Sequence, residues 1–386
     1  MQSADIVIVG GGVVGSSIAY QCLKRGVGSV LVVDTAQSSG QGSTRYATGG
    51  YRAQHSTDIN VRLSLLAREQ LLSFHSDTGI DCEYRPCGYL MAARSSEQLV
   101  LLRKALTVQH AAGLDVSREV SIDEMRAINP FLNTTDLIGG TYCPIDGYIR
   151  PLQVLEGYQA ASKALGAVYR FGCGTVNILF DNDQKAVGVK VDGDTIHSGC
   201  VVIAAGAWSG LIKGNGQYDI PVRPERRQVA CTVVQDLLAE NLPLTIDIEN
   251  GFHMRVRDGR CLLLWPGESS GANEFDIMFD TGWLEQMIPL AHHFIPCLKD
   301  IALDSEKHWC GLYEMTPDHH CLFGKVPNSE ALYIATGNSG HGVMHSPALG
   351  VLMADLLSSG KTRLDTHCLR PSRFMENDAI SDLGIL

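Results

Sequence analysis

The stretch IVIVGGGVVG at residues 6–15 runs from an apolar segment straight into a glycine-rich turn. A helical pattern follows over residues 16–23, and a second apolar run at residues 30–33 ends on Asp34. Short apolar runs bounded by glycine are typical of buried strands in a parallel sheet. The order strand, glycine turn, helix, strand and acid predicts a βαβ unit that binds a dinucleotide.

The glycines of this turn have the GxGxxG spacing, and each has its own expected role. Gly10 permits the tight turn, Gly12 lets the backbone approach a pyrophosphate, and Gly15 allows the helix to pack closely on the strand. The N-terminus of the helix offers N–H groups to the phosphates, and Asp34 is placed to bind ribose hydroxyls. Because GxGxxG alone also fits an ordinary turn, the prediction depends on the strands, helix and acid around it.

The composition is that of a soluble globular protein. The chain has 386 residues, of which 45% are hydrophobic and 19% charged, so we expect more than one domain. A formal net charge of −11 argues against nucleic acid or an anionic membrane as the main partner. No apolar run is long enough to span a membrane, and the N-terminus lacks the basic segment of an export signal, so we expect a cytoplasmic protein.

The twelve cysteines are scattered along the chain. None has the spacing of a zinc ligand set, and Cys82 and Cys87 form the closest pair. We therefore expect no metal site and, in a reducing compartment, free thiols that pack as small hydrophobes.

The rest of the pattern predicts strands and helices with no internal repeat. Residues 175–180 and 186–191 are typical of a small antiparallel meander, and residues 200–209 predict a buried strand that can lie beside the first one. That strand ends in Ala204-Ala205-Gly206, which allows the chain to pass close to a nucleotide, although a simple structural turn fits equally well. Further strands are predicted at residues 83–85, 88–91, 167–171, 228–234, 251–256, 260–265 and 331–336, and helices at 57–76, 96–112, 121–128, 152–165, 283–293 and 344–357.

Five motifs, spread in order over nearly the whole chain, carry a resemblance to a known family. They are GGGVVG with Asp34, GSTRYATGGYRAQ at residues 42–54, CVVIAAGAWS at 200–209, HWCGLYEMTPDHH at 308–320 and ATGNSGHGV at 335–343. Together they resemble the FAD-dependent amine and amino-acid oxidoreductases of the D-amino-acid oxidase superfamily. The branch they resemble holds glycine oxidase, sarcosine oxidase and the dye-linked L-proline dehydrogenase β-subunit.

The resemblance implies an α/β fold (α+β overall), in which a Rossmann-like FAD-binding domain is interleaved with a mixed-sheet substrate domain. We expect the FAD-binding domain to comprise residues 1–81, 146–220 and 304–386. The substrate domain then comprises residues 82–145 and 221–303.

The resemblance also implies which residues hold FAD. Backbone N–H groups and a helix dipole are expected at the N1/O2 edge of the flavin, where they stabilise the negative charge that reduction places on N1. Ala205 and Gly206 are expected to pass close to the nucleotide. The residues that match the family pattern are Gly10, Gly12, Gly15 and Asp34 for the ADP half, Gly42, Ser43 and Thr44 for the pyrophosphate loop, Thr48, Gly49 and Gly50 for the stretch past the flavin ring, Val176 for a backbone contact to adenine, and Gly340, His341 and Gly342 for the turn at the flavin edge.

The reaction implied by the resemblance needs no nucleophile. A neutral amine has to be held with its α-hydrogen close to flavin N5, so the protein has to orient the substrate. A cation or tyrosine is expected on the substrate carboxylate, with an apolar wall around the side chain. The candidates are Arg52, Tyr51, His55, His253, Arg255, Tyr313 and, at the flavin edge, His341.

Two of these assignments have structural alternatives. Arg52 can instead form an ion pair between the domains. His253 and Arg255 lie on one face of a predicted strand, which favours a shared role, but a solvated strand face fits equally well.

Three positions depart from the family pattern. Tyr313 stands where glycine oxidase has an arginine for the substrate carboxylate, so glycine is a less favoured substrate. An ungapped alignment places Leu263 where monomeric sarcosine oxidases have a lysine that promotes reaction with oxygen, which favours a dehydrogenase with another acceptor. Cys310 lies one position from the cysteine to which those oxidases attach FAD covalently.

We therefore expect FAD-dependent oxidation of a primary or secondary amine of an amino acid or N-alkyl amino acid, giving an imine that hydrolyses. Two alternatives stay open. The chain can be the flavin-bearing subunit of a larger dehydrogenase that passes electrons to a partner chain. It can also be a pyridine-nucleotide dehydrogenase, because the fingerprint from Gly10 to Asp34 does not distinguish NAD from FAD.

Overall fold

The computed structural model describes residues 3–212, 218–267, 273–382 and 384, which fold into two eight-stranded sheets, a two-stranded sheet and eight α-helices. The strands are β1 (Ser3–Val9), β2 (Val30–Val33), β3 (Gly50–Tyr51), β4 (Tyr89–Ala93), β5 (Arg118–Val120), β6 (Gly139–Cys143), β7 (Gly147–Tyr148), β8 (Val168–Arg170), β9 (Val176–Phe180), β10 (Ala186–Val191), β11 (Asp194–Ile203), β12 (Arg223–Cys231), β13 (Leu244–Asp247), β14 (His253–Arg257), β15 (Arg260–Leu264), β16 (Trp309–Met315), β17 (Leu322–Lys325) and β18 (Leu332–Thr336). The helices are α1 (Val13–Lys24), α2 (Asp58–Leu72), α3 (Phe74–Thr78), α4 (Ser96–Ala111), α5 (Ile122–Ile128), α6 (Pro151–Ala164), α7 (Thr281–Phe294) and α8 (Gly342–Ser359).

The first sheet has a parallel centre with the order β18, β11, β1, β2 and β8, and β17 adds an antiparallel edge. Successive side chains of β1 alternate between two buried faces. Ile6 and Ile8 join the core under α1, α2 and α8, whereas Val7 and Val9 join the core under the meander. Burial on both faces explains why β1 is a continuous apolar run.

The predicted meander is present as β9, β10 and the first half of β11. The strand predicted over residues 200–209 is β11, which begins six residues earlier, at Asp194, and ends at Ile203. Thr195 and His197 are exposed there, so the early part of the strand lacks the apolar run that marks its end. The second half of β11 pairs in parallel with β1, as expected for the strand that ends in Ala204-Ala205-Gly206.

The second sheet has the order β16, β12, β15, β14, β13, β4, β6 and β5, and α7 packs on one of its faces. The predicted mixed α/β class is therefore correct. The domain boundaries stay a prediction, and the sheets depart from them at one strand. β16 falls in the segment 304–386 but pairs along its whole length with β12 of the second sheet.

Two predicted elements differ in the structure. The helix predicted over residues 57–76 is divided at Ser73 into α2 and α3. The strand predicted at residues 83–85 is a single bridge between Arg85 and Tyr148, because Glu83 has a φ of 50°, outside the strand region.

The described residues contain no helix that is both long and apolar enough to cross a membrane. They also contain no group of three or more histidine, cysteine or acidic side chains that is arranged to hold a metal ion. All twelve cysteines lie in the described part of the chain, and none forms a disulfide.

Candidate active site

A cavity of about 1300 Å³ lies between the carboxyl ends of the central strands of the first sheet and one face of the second sheet. The first sheet contributes residues at the ends of β1, β2, β11 and β18, and the second contributes residues of β12, β13, β14 and β15. Ligand sites usually measure about 300–1,000 Å³, so this cavity is large enough for a dinucleotide together with a small substrate.

The fingerprint glycines are required for different physical reasons. Gly10 has a φ of +114°, and a Cβ there would lie 2.2 Å from the carbonyl oxygen of Ala204. A Cβ on Gly15 would lie 2.0 Å from the carbonyl oxygen of Gly10, so α1 could not pack as closely on β1. At Gly12, in contrast, a Cβ would meet only the Thr44 hydroxyl, at 3.6 Å. Gly12 lines the cavity at the start of α1, so the space that its missing side chain leaves is space for a ligand.

Polar groups around Gly12 fit a phosphate. The Ser43 hydroxyl is buried and has no hydrogen-bond partner among the described residues. The Thr44 hydroxyl accepts a hydrogen bond from the Val13 N–H, 3.3 Å away, and so holds the start of α1 against this loop. A buried hydroxyl without a protein partner beside a helix N-terminus is suited to bind a phosphate oxygen.

Asp34 also lines the cavity, at the end of β2. Its carboxylate accepts hydrogen bonds from the backbone N–H groups of Gly11, at 2.6 Å, and Ala36, at 2.8 Å. These bonds fix the carboxylate beside the glycine turn, which is where the ribose of a bound dinucleotide is expected.

The residues expected to hold FAD come together on this one cavity, with the exception of Gly15, which is a packing glycine. Gly49 and Gly50 also have packing reasons of their own, because a Cβ would lie 2.1 Å from the Ile149 carbonyl oxygen and 2.2 Å from the Tyr89 hydroxyl, respectively. The other predicted FAD contacts that line the cavity are Gly10, Gly12, Asp34, Gly42, Ser43, Thr44, Thr48, Val176, Ala205, Gly206, Gly340, His341 and Gly342.

The N-terminus of α8 faces the cavity through the turn that precedes it. Glu314, a cavity residue that the sequence reasoning missed, fixes this turn. Its carboxylate accepts hydrogen bonds from the Thr336 hydroxyl at 2.7 Å, the Gly337 N–H at 2.9 Å and the Asn338 amide at 2.7 Å. Its position next to Tyr313 in the motif HWCGLYEMTPDHH was the available signal.

Arg52 is a buried cation on the cavity wall, and neutral histidines surround it. Its guanidinium donates to His341 Nε2, at 3.2 Å; because an arginine only donates, this histidine nitrogen carries no proton. The carbonyl oxygen of Arg52 accepts from His55 Nε2 at 3.1 Å and from the Ser64 hydroxyl at 2.8 Å. His345 in turn lies 2.9 Å from that hydroxyl.

Burial and the charge of Arg52 lower the pKa of each of these histidines. The pKa of His55 and of His341 lies well below its usual value, and the pKa of His345 is lowered to about 3. Burial also lowers the pKa of Arg52 itself. The positive charge of this region therefore lies on Arg52 and not on the histidines at neutral pH.

The other orienting candidates divide into two groups. His253 and Tyr313 line the cavity, together with Arg52, His55 and His341. Arg255 is not one of the lining residues, because its guanidinium stacks 3.6 Å from the Tyr148 ring centre and donates to the Thr48 carbonyl oxygen at 2.7 Å. The expected shared role of His253 and Arg255 in contacting the substrate is thus not supported by their positions. Arg255 instead supports the backbone of the Thr48 stretch from behind.

Tyr51 is also set back from the cavity. It is fully buried, and its hydroxyl donates to the Ser64 carbonyl oxygen at 2.7 Å. Cavity residues that the sequence reasoning missed include Tyr89, Arg227 and Trp265. The guanidinium of Arg227 lies 5.5 Å from the Tyr313 ring centre. In the sequence, Arg227 comes directly before the strand predicted at residues 228–234.

Leu263 and Cys310, two of the positions that depart from the family pattern, do not line the cavity. Leu263 faces the apolar core of the second sheet, and it is Leu264 that lines the cavity. The leucine on the cavity wall is thus the neighbour of the one to which the ungapped alignment points. Cys310 is buried, is not a lining residue, and its thiol lies 3.4 Å from the Gln228 side-chain oxygen.

The buried histidine His345 makes the free energy of unfolding depend on pH. Its pKa is near 6.5 when exposed and about 3 in the fold, so the unfolded chain binds the proton first as the pH falls. We expect this residue to remove about 2 kcal/mol of the free energy of unfolding between pH 7 and pH 5. Urea unfolding of wild type and His345→Gln at both pH values, with FAD held constant, measures it.

The matched control is His75→Gln, the same substitution at an exposed histidine. Asp146 acts in the opposite direction, because burial raises its pKa to about 6 and its contribution is lost as the pH rises. The difference between variant and wild type, and not the wild-type curve, therefore isolates His345. An unchanged difference at the two pH values would mean that His345 is not held neutral.

Comparison with known proteins finds relatives that match most of the chain. The family model for FAD dependent oxidoreductases, DAO, matches residues 5–356. FAD-dependent oxidoreductase domain-containing protein 1 of Xenopus laevis is 27% identical, over 93% of this chain and 80% of its own length. Glycine oxidase of Geobacillus kaustophilus is 26% identical, over 94% of each chain. The crystal structure of L-proline dehydrogenase from P. horikoshii matches with a TM-score of 0.91 at 26% identity, over 98% of this chain and 100% of that one.

The family match confirms the resemblance drawn from the five motifs. It also excludes the pyridine-nucleotide alternative, since the family is FAD-dependent. The open space at Gly12, the unpartnered Ser43 hydroxyl and the fixed carboxylate of Asp34 all fit this cofactor. The chain belongs to the DAO family of FAD-dependent oxidoreductases, and FAD is its cofactor.

Proposed function

We propose that this protein oxidises a primary or secondary amine that carries a carboxylate, as in an amino acid or an N-alkyl amino acid. The observation that carries the proposal is Arg52, a buried cation that lines the cavity among neutral histidines. Two of the similar proteins support it by name, glycine oxidase and L-proline dehydrogenase, since both act on small amino acids.

Three parts of the cavity wall have roles in the proposed reaction. The guanidinium of Arg52 binds the substrate carboxylate, because its planar donors match the two carboxylate oxygens. The second sheet supplies an apolar wall, which includes Leu244, Ile246 and Leu264 and keeps water from the reacting carbon. When bound, FAD would supply the acceptor for the hydride of the α-carbon, and the resulting imine would hydrolyse. The N-terminus of α8 would stabilise negative charge gained at the end of the cavity that it faces.

An anaerobic screen tests the proposal. The FAD-loaded protein is mixed with amino acids, N-alkyl amino acids and the matching amines without a carboxylate, and bleaching of the oxidised flavin band is followed. We expect bleaching by a subset of the carboxylated amines. If no carboxylated amine bleaches the flavin, or if the amines without a carboxylate do so equally fast, the proposed substrate class is wrong.

The electron acceptor is proposed to be a dye, a quinone or a partner protein in place of oxygen. Leu264 stands on the cavity wall near the position where the resemblance implies an oxygen-activating lysine. A fixed positive charge beside the ring favours electron transfer to oxygen, because the first product, superoxide, is an anion. His253 and His341 have lowered pKa values through burial and are neutral. Of the two arginines that line the cavity, Arg52 is assigned to the substrate carboxylate and Arg227 lies beside the Tyr313 ring.

We expect substrate-reduced enzyme to pass electrons to an artificial dye faster than to oxygen at air level, and Leu264→Lys to raise the oxygen rate. Stopped-flow reoxidation measures both rates. The matched control is Leu263→Lys, one residue away, whose charge would enter the apolar core and lower stability without raising the oxygen rate. Wild-type reoxidation as fast with air as with dye would assign the protein to the oxidases.

Two further expectations stay predictions. They are that the chain works with a partner subunit and that it works in the cytoplasm.

A further inference from the structure

His253 presents one defined ring nitrogen to the cavity. It is the first residue of β14 and pairs with Leu264 of β15, so both lie on the wall that the second sheet supplies. His253 Nδ1 lies 2.8 Å from the carbonyl oxygen of Gly251. A carbonyl oxygen only accepts, so Nδ1 carries the proton of this hydrogen bond.

The second ring nitrogen, Nε2, is then the unprotonated one in the neutral ring. No hydrogen-bond donor reaches it from the part of the chain that the structure describes, and it is not among the fully enclosed atoms. Because the backbone of Gly251 holds the opposite side of the ring, Nε2 is the side that is available to a ligand in the cavity.

The surroundings of His253 keep the ring neutral. Burial, together with the positive charges of Arg52 and Arg227, lowers its pKa to about 4, against a raising effect of the Gly251 hydrogen bond. These two arginines are the charged groups that act on the ring, and both line the same cavity. A neutral ring with a lone pair at Nε2 does not attract a carboxylate, whereas it accepts a hydrogen bond from an N–H group.

We propose that His253 Nε2 accepts a hydrogen bond from the amine N–H of the substrate, and that the site therefore takes primary and secondary amines and rejects tertiary ones. This inference rests on the proposed function. It also gives Arg52 and His253 separate roles, since Arg52 binds the carboxylate and His253 binds the amine.

The chemistry of the amine explains the selection. Hydride loss from the α-carbon requires a neutral nitrogen whose lone pair forms the new C=N bond. A neutral secondary amine keeps one N–H for His253 and leaves its lone pair free for this bond. A neutral tertiary amine has no N–H, so a methyl group would face Nε2 and leave a buried acceptor unpaired. No proton moves to His253 in this role.

The tautomer is tested directly by NMR of the FAD-loaded protein labelled with ¹⁵N-histidine. The His253 signals are assigned by their absence from the variant His253→Phe. We expect a protonated Nδ1 and an unprotonated Nε2 at pH 7. The Nε2 signal should shift on addition of 2-methylalanine, which has no α-hydrogen to be transferred. It should not shift with 2,2-dimethylpropanoate, in which a methyl group replaces the amine. A protonated Nε2, or equal shifts with both probes, would overturn the inference.

Kinetics test the selection with matched pairs. Anaerobic flavin bleaching is compared for N-methylglycine against N,N-dimethylglycine and for L-proline against N-methyl-L-proline. For at least one pair we expect the N–H member to react about tenfold faster or more in wild type, since an unpaired buried acceptor opposes the tertiary amine. His253→Phe should narrow that ratio, and His253→Gln, whose amide oxygen can accept, should keep part of it.

The outcomes separate this inference from the proposed function. Equal bleaching by both members of each pair in wild type overturns the role of His253 and leaves the substrate class intact. No bleaching by any carboxylated amine overturns both. A ratio that His253→Phe leaves unchanged assigns the selection to another residue.

Discussion

Replacing Gly12 by valine is expected to abolish FAD binding without unfolding the protein. Within the protein a Cβ at this position meets only the Thr44 hydroxyl, at 3.6 Å, and Gly12 has a φ of −71°, which valine can adopt. The valine methyl groups would instead enter the cavity at the N-terminus of α1, where the pyrophosphate has to approach the backbone. Absorbance of the purified protein and titration of the stripped protein with FAD measure the loss.

The neighbouring fingerprint glycine provides the control. A Cβ on Gly15 would lie 2.0 Å from the Gly10 carbonyl oxygen, so Gly15→Val should lower stability through the packing of α1 on β1. Gly12→Val should match the FAD-stripped wild type in melting temperature, because a lost ligand removes only its own stabilisation. A Gly12→Val protein that retains one FAD per chain would show that the cofactor does not approach this backbone.

The part of the fold that could be predicted from the sequence is the part buried on both faces. β1, β2 and the end of β11 consist of apolar residues because the first sheet is covered on each side, and their order around the glycine turn is a local property of the chain. The first half of β11 was missed because its exposed residues, such as Thr195 and His197, are polar. Its pairing with β10 is a tertiary contact that leaves little local signal.

The glycines on the cavity were predictable because a missing side chain has a local physical reason. A missing Cβ at Gly10 or Gly12 has a consequence that can be reasoned out at that residue alone. Side-chain direction cannot be treated in this way. In a strand, successive side chains point to opposite faces, so the sequence alone does not tell whether Leu263 or Leu264 lines the cavity. The pairing of His253 with Leu264 puts Leu264 there.

The environment of Arg52 was not predictable because its partners are distant in sequence. His341, which accepts from its guanidinium, is 289 residues away, and His345 reaches it through Ser64. For Arg255, the direction of the side chain could not be predicted. Its residue type fits a substrate contact, but whether it faces the cavity or stacks on Tyr148 depends on the neighbouring β7. The sequence pattern indicates the face of a strand and not the depth of a side chain.

Replacing Arg52 by methionine is expected to leave FAD bound while kcat/KM for a carboxylated amine falls by about 30-fold or more, since removal of a buried charge partner costs about 2–5 kcal/mol. Methionine fills similar volume, and the bonds from His55 and Ser64 are made to the main-chain carbonyl oxygen, so they survive the change. Steady-state rates with L-proline and with pyrrolidine, which lacks the carboxylate, measure the effect.

Comparison of the two substrates separates recognition of the carboxylate from a structural role. Arg52→Met leaves His341 Nε2 without its donor, and this lowers stability and affects both substrates alike. Recognition by the arginine predicts a much larger loss for L-proline than for pyrrolidine, and a partial recovery in Arg52→Lys, which keeps the charge but not the planar pair of donors. Equal losses for both substrates, with melting temperatures reduced to match, would mean that Arg52 supports the wall of the cavity and that another group binds the carboxylate. Of the cations in the described part of the chain, Arg227 also lines the cavity beside Tyr313, so Arg227→Met is the variant that would then show the selective loss.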